Sequence, residues 1–182
     1  MKRYLKDLNR DELRKVYDNN RHFREKAFEW ACDTASRWVE EYLEELAPSA
    51  ASYEFGMYTH CFFKIKEPED VFTWLDKVQK DYCLLSDDDF EMVKEADALH
   101  QKYWYSGATT DEEDERLFDE LIPAIEKAVC CVLASEYSWF ETDENLFEYA
   151  YENLEQMFSE GAYILQGGAD WAIYEVVEYR YV

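Results

Sequence analysis

The sequence has little of what breaks or staples a chain. It holds five glycines and three prolines in 182 residues, and it contains no linker, internal repeat or low-complexity tract. Its five cysteines are odd in number and include the adjacent pair Cys130–Cys131. With no CxxC and no Cys/His ligand spacing, they argue against a disulfide framework and against a structural zinc site. No apolar run is long enough to span a bilayer, and the first residues lack the apolar core of a signal peptide. A reduced, cytoplasmic protein is the expectation.

Enzyme motifs are equally scarce. There are three histidines, His22, His60 and His100, and no HExxH, GxSxG, Walker loop or GxGxxG pattern. On a strand, His60 and Cys61 would point to opposite faces, so they make no nucleophile–base pair. His100 follows Asp97 by one helical turn, a spacing that suits a dyad or an ordinary surface pair. Glu54 and His60 on one strand face leave a Mg²⁺-dependent nuclease as an alternative. The acidic runs Asp87–Asp89 and Asp111–Glu115 lack the alternation and central glycine of a calcium loop. No catalytic residue, metal or cofactor is expected.

What is abundant is negative charge. The chain carries 42 Asp/Glu against 19 Lys/Arg, a formal charge of −23. Residues 1–30 run the other way, with 9 Lys/Arg and 6 Asp/Glu. Such a field repels nucleic acid and anionic membranes and draws basic partners in. A halophile's acidic surface is the bland alternative, against which eleven lysines and an aromatic fraction of 18% argue. The 15 Tyr, 11 Phe and 6 Trp exceed what a core of this size needs, so some are expected as contact residues.

The charge is patterned. On a helical wheel Glu112, Glu115, Asp119 and Glu126 share one stripe, and Glu144, Glu148, Glu152 and Glu155 share another. Like charges at i,i+4 cost a helix about 0.2–0.5 kcal/mol per pair, so the ladders work against stability. Neighbouring carboxylates on a helix face stand about 5–6 Å apart, approaching the roughly 3.4 Å axial spacing of charges along a DNA strand. Together with Asp87, Asp88, Asp89, Asp111 and Glu113, these residues are the candidate partner-binding surface, with carboxylates in the place of phosphates. Arg3, Lys6, Arg10, Arg14, Arg21 and Arg24 fall within roughly 80° of one another if residues 3–24 form one helix. That basic stripe could contact nucleic acid, or pair with the acidic body within the chain or across a homodimer. The cluster Tyr103-Trp104-Tyr105 is either core or an interface anchor.

Periodicity predicts a mostly helical α+β chain in a single domain over 1–182. Asn9–Glu12, Ser86–Asp89 and Thr110–Glu113 read as capping boxes, and Thr142 as a further cap. Pro68 suits the first turn of a helix, Asn19-Asn20 could divide the N-terminal helix, and Pro123 should kink or split another near Ile122. Residues 51–66 alternate like one strand. Residues 162–181 read as a hairpin turning at Gly167-Gly168, and the three strands are expected to form one antiparallel sheet.

In its size, its single α+β domain, its acidic helices and its aromatic excess, the chain resembles the small acidic proteins of phages and mobile elements that inhibit bacterial defence. The inhibitors of type II CRISPR nucleases are the nearest in character. The resemblance implies residence in the host bacterial cytoplasm and a basic nucleic-acid-binding protein as partner. Such an effector holds its RNA–DNA heteroduplex in a positively charged channel and reads its short recognition motif with arginines. An acidic helical surface would occupy either site or block guide-RNA loading, and the basic stripe would add a guide-RNA contact. The competing readings are an antirestriction-type DNA mimic and an immunity protein or antitoxin that neutralises a basic toxin.

Overall fold

A computed structural model describes residues 2–158, 162–165 and 172–174. In chain order the elements are strand β1 (Lys2–Tyr4), a 3₁₀ turn (Leu5–Asp7), α1 (Arg10–Asn19), α2 (Arg21–Leu43), β2 (Ala51–Glu54), β3 (Phe62–Ile65), α3 (Pro68–Tyr82) and α4 (Asp87–Gln101). A π-helical turn (Lys102–Ser106) extends α4. After it come α5 (Asp111–Glu115), a second π turn (Arg116–Leu121), α6 (Ile122–Ser138), a 3₁₀ turn (Trp139–Glu141), α7 (Asp143–Glu152), α8 (Leu154–Met157), β4 (Tyr163–Leu165) and β5 (Ala172–Tyr174). The chain is mostly helical with small antiparallel sheets, an α+β architecture. Among the described residues, no helix is long and apolar enough to cross a membrane.

Local chemistry explains most boundaries. The Asn9 side chain accepts from the Glu12 amide while Glu12 reaches back to the Asn9 amide, and Thr110 and Glu113 do the same for α5. Ser86 and Thr142 accept from Asp89 and Asn145; each side chain satisfies an amide that the first turn leaves unpaired. Pro68 occupies the start of α3, where its missing N–H is harmless. Asn20 is buried in an extended conformation, and its side chain accepts from the Phe23 amide at 2.9 Å. It therefore caps α2 and breaks the N-terminal helix in two. Pro123 follows the second π turn, at the place where the helix returns to α geometry.

The residues gather into two compact units, 1–34 with 139–182, and 35–138. The first is built on aromatic packing. Tyr17 meets Phe23 and Phe147 edge-on at 5.4 and 5.3 Å, and Phe23 meets Phe158 at 5.2 Å. Its sheet has the order β1-β4-β5, with Arg3 opposite Ile164 and Ile164 opposite Ile173. The turn expected at Gly167-Gly168 and the hairpin's last residues lie outside the described residues.

The second unit packs α3, α4 and α6 around Val71, Leu75, Val93, Leu121, Ile125 and Val129. Its sheet corrects the expectation for residues 51–66. These form a hairpin, β2 against β3 with Tyr53 opposite Phe63, and not one strand. The chain reverses where Tyr58 takes φ of 56°, while the Thr59 hydroxyl donates to the Gly56 carbonyl at 2.9 Å. A left-handed residue cannot continue a strand. Accordingly β2–β3 is a sheet of its own, and the C-terminal strands pair with β1 instead.

Candidate functional site

The basic N-terminal residues do not form the expected stripe. Arg3 lies in β1, Lys6 in a 3₁₀ turn, Arg10 and Arg14 in α1, and Arg21 and Arg24 in α2 beyond the Asn20 break. Arg3 grips both Glu12 oxygens at 2.9 Å. That guanidinium, and then the Asn9 amide, hold the Glu12 carboxyl below its usual range. Arg10 pairs with Glu144 at 3.4 Å and with Glu148. Arg14 pairs with Asp143, with Glu144 at 3.0 Å and with Asp18 at 2.8 Å, and its guanidinium lies 4.8 Å from the Phe147 ring centroid. Arg21 pairs with Glu25, and Arg24 donates to the Asp18 carbonyl. Lys6 lines an open concavity of about 360 Å³ with Glu152 and Glu155.

This pairing consumes half of the second acidic ladder. Glu144 and Glu148 hold α7 against α1, whereas Glu152 and Glu155 stay exposed. In the first unit Arg3, Arg10 and Arg14 are paired with its own carboxylates, although its 17 Asp/Glu against 10 Lys/Arg leave a net −7.

Residues 35–138 carry 25 Asp/Glu against 9 Lys/Arg, a net −16 of the chain's −23. Here too the wheel misassigns some carboxylates. Glu126 is only 8% exposed and is bonded to Lys64 and to the Ile65 amide. The π turn between Glu115 and Glu126 explains the departure. It adds about one residue to a turn, which rotates everything after it by roughly 100° relative to a uniform α-helix. Glu113 belongs to the cap and to Lys102, whose ammonium, followed by the Thr110 amide, holds its carboxyl below the usual range. Asp89 accepts from the Ser86 hydroxyl at 2.6 Å. That leaves Asp87, Asp88, Asp111, Glu112, Glu115 and Asp119, all exposed and without an ion pair among the described residues.

The segment that carries the last four touches, through Phe118 and Glu113, a group that the sequence only half disclosed. The turn Lys102–Ser106 presents Tyr103, Trp104 and Tyr105, which are 37%, 67% and 73% exposed. Tyr103 meets Phe118, itself 40% exposed on the second π turn, edge-on at 5.3 Å. Tyr103 also meets Trp104 at 5.8 Å, and the Tyr105 hydroxyl donates to Glu69 at 3.1 Å. A π turn spreads side chains more widely than an α turn and recurs at functional sites. Phe118 was missed; its one available signal was an aromatic at a charged position of an acidic helix.

The enzyme alternatives lose their geometry. Glu54 ends β2, whereas His60 lies in the reversal before β3, so they share no strand face. His100 is 4% exposed, packed between the Phe72 and Trp104 rings, and Asp97 accepts from Gln101. Among the described residues, no three His, Cys, Asp or Glu side chains come together as a metal site. Chemically, the arrangement offers fixed negative charge beside open aromatic faces, a combination suited to binding. Comparison with protein-family models, curated proteins and solved structures finds no match.

Proposed function

We propose that this protein is an inhibitor that binds a basic nucleic-acid-binding protein, with a type II CRISPR nuclease as its target. Its acidic surface would take the place of nucleic acid and block DNA targeting. The observation that carries the proposal is the division of charge. Glu144 and Glu148 are spent on Arg10 and Arg14, whereas Asp111, Glu112, Glu115 and Asp119 are exposed without a basic partner among the described residues. Carboxylates kept close together against their own repulsion are available to a partner's lysines and arginines. The aromatics beside them favour a protein partner, since Trp and Tyr commonly anchor protein interfaces.

The pairing of Arg3, Arg10 and Arg14 weakens the guide-RNA contact considered from the sequence, because their charge is already neutralised. The acidic surface is therefore the inhibitory element. The experiment is target-DNA cleavage by a purified type II CRISPR nuclease, with this protein added before or after guide loading. Inhibition in both orders is expected, from occupation of the DNA path. Inhibition only before loading would move the contact to the guide channel. Full cleavage in both orders would overturn the assignment of the target.

A further inference from the structure

Resting on the acidic-surface reading, we infer that the two π turns form an arginine-accepting anchor. The faces of Trp104 and Tyr105 receive guanidinium groups of a partner's arginine-rich segment, and Glu112, Glu115 and Asp119 receive its remaining charge. At some other rings the fold places its own cations. Arg14 lies over Phe147 at 4.8 Å, Lys26 over Phe158 at 4.7 Å and Lys94 over Phe90 at 4.9 Å. At the π turns it does not. Lys102 is taken by Glu113, and Arg116 by Glu95 and Glu120. Among the described residues no lysine or arginine lies over Tyr103, Trp104, Tyr105 or Phe118. Open rings in a strongly negative surround attract cations from outside.

The rings are also held in place. Tyr105 is tied to Glu69 through its hydroxyl, Tyr103 rests on Phe118, and Trp104 backs onto the buried His100 at 6.1 Å. Rigid aromatics lose little freedom when a ligand stacks on them. Arginine fits better than lysine, because its planar, weakly hydrated guanidinium stacks on a ring while still pairing with a carboxylate. Nucleobases also stack on aromatics, but the adjoining carboxylates repel the phosphates that accompany them.

The test is titration calorimetry of the full chain with nona-arginine, nona-lysine and a thymidine oligonucleotide at physiological salt. Nona-arginine should bind about fivefold tighter than nona-lysine, and the oligonucleotide not at all. Trp104→Ala with Tyr105→Ala should bring the two peptides to equal affinity. Tyr105→Phe, which keeps the ring, should preserve the preference. Glu112→Gln with Glu115→Gln and Asp119→Asn should weaken both peptides together and leave their ratio standing. Equal affinities in the wild type, a ratio indifferent to the loss of Trp104 and Tyr105, or binding of the oligonucleotide would each overturn the anchor. Peptide binding unchanged by the three neutralisations would instead overturn the acidic-surface reading, so the two failures are distinguishable.

Discussion

Glu126 and Ile65 are joined by a hydrogen bond of 2.9 Å from the strand amide to the buried carboxylate, which also accepts from Lys64 at 2.5 Å. One side chain thereby ties β3 to α6. Glu126→Gln turns one acceptor oxygen into a donor facing donors, and a buried polar group left unsatisfied costs about 1–3 kcal/mol. Urea denaturation should show a loss of that size. Glu115→Gln, on the exposed surface, should stay within about 0.5 kcal/mol of the wild type. The pair separates a structural carboxylate from one on the surface proposed to bind a partner.

Arg14 makes a second structural prediction. Its guanidinium pairs with Asp143, Glu144 and Asp18 and stacks on Phe147. Exposed pairs contribute little individually, but the ring contact adds to them, so Arg14→Ala should cost about 1 kcal/mol. High salt should recover little of that loss, because the ring contact goes with the side chain. Inhibition should survive the substitution, since α1 lies outside the proposed surface. Denaturation at two salt concentrations checks the first point and the cleavage assay the second.

His100 gives a pH dependence. Burial lowers its pKa from the usual 6.5, against the opposing pull of Glu69 and Asp97. The folded state favours the neutral ring. Its contribution to stability is complete above the unfolded value near 6.5 and is lost as pH falls through the lower folded value. Wild type should therefore lose more stability between pH 7.5 and pH 5.5 than His100→Leu, whose remaining carboxylates titrate in the same way. Equal losses measured by urea denaturation would contradict this.

Capping chemistry was the most legible part of the sequence. Asn9 with Glu12, Thr110 with Glu113, and Pro68 each mark a helix start within a few residues of sequence, and each stands where its side chain predicts. Strand pairing was not legible. The alternation of Tyr53, Phe55, Met57 and Phe63 hid a reversal, because Tyr58 adopts a left-handed conformation that its sequence does not announce. The three residues of β1 are too short to show a period.

For the candidate site, the sequence supplied charge and aromatic content but not phase. A wheel drawn at 100° per residue puts Glu126 beside Glu112. The π turn at Arg116–Leu121 sends Glu126 inward, and the adjoining turn brings Tyr103 to Phe118. Widening of a helix depends on the packing around it, and no residue spacing encodes it. The Arg14–Glu144 pairing, which spans 130 positions, lies equally beyond local pattern.

The most direct test compares the wild type with a single variant carrying Glu112→Gln, Glu115→Gln and Asp119→Asn, each titrated into cleavage of target DNA by a type II CRISPR nuclease at low and at physiological salt. The account predicts that the wild type inhibits, that its inhibition weakens as salt screens the charges, and that the variant needs at least about tenfold more protein for the same effect. Inhibition by the variant equal to that of the wild type at both salt concentrations would contradict the acidic-surface mechanism.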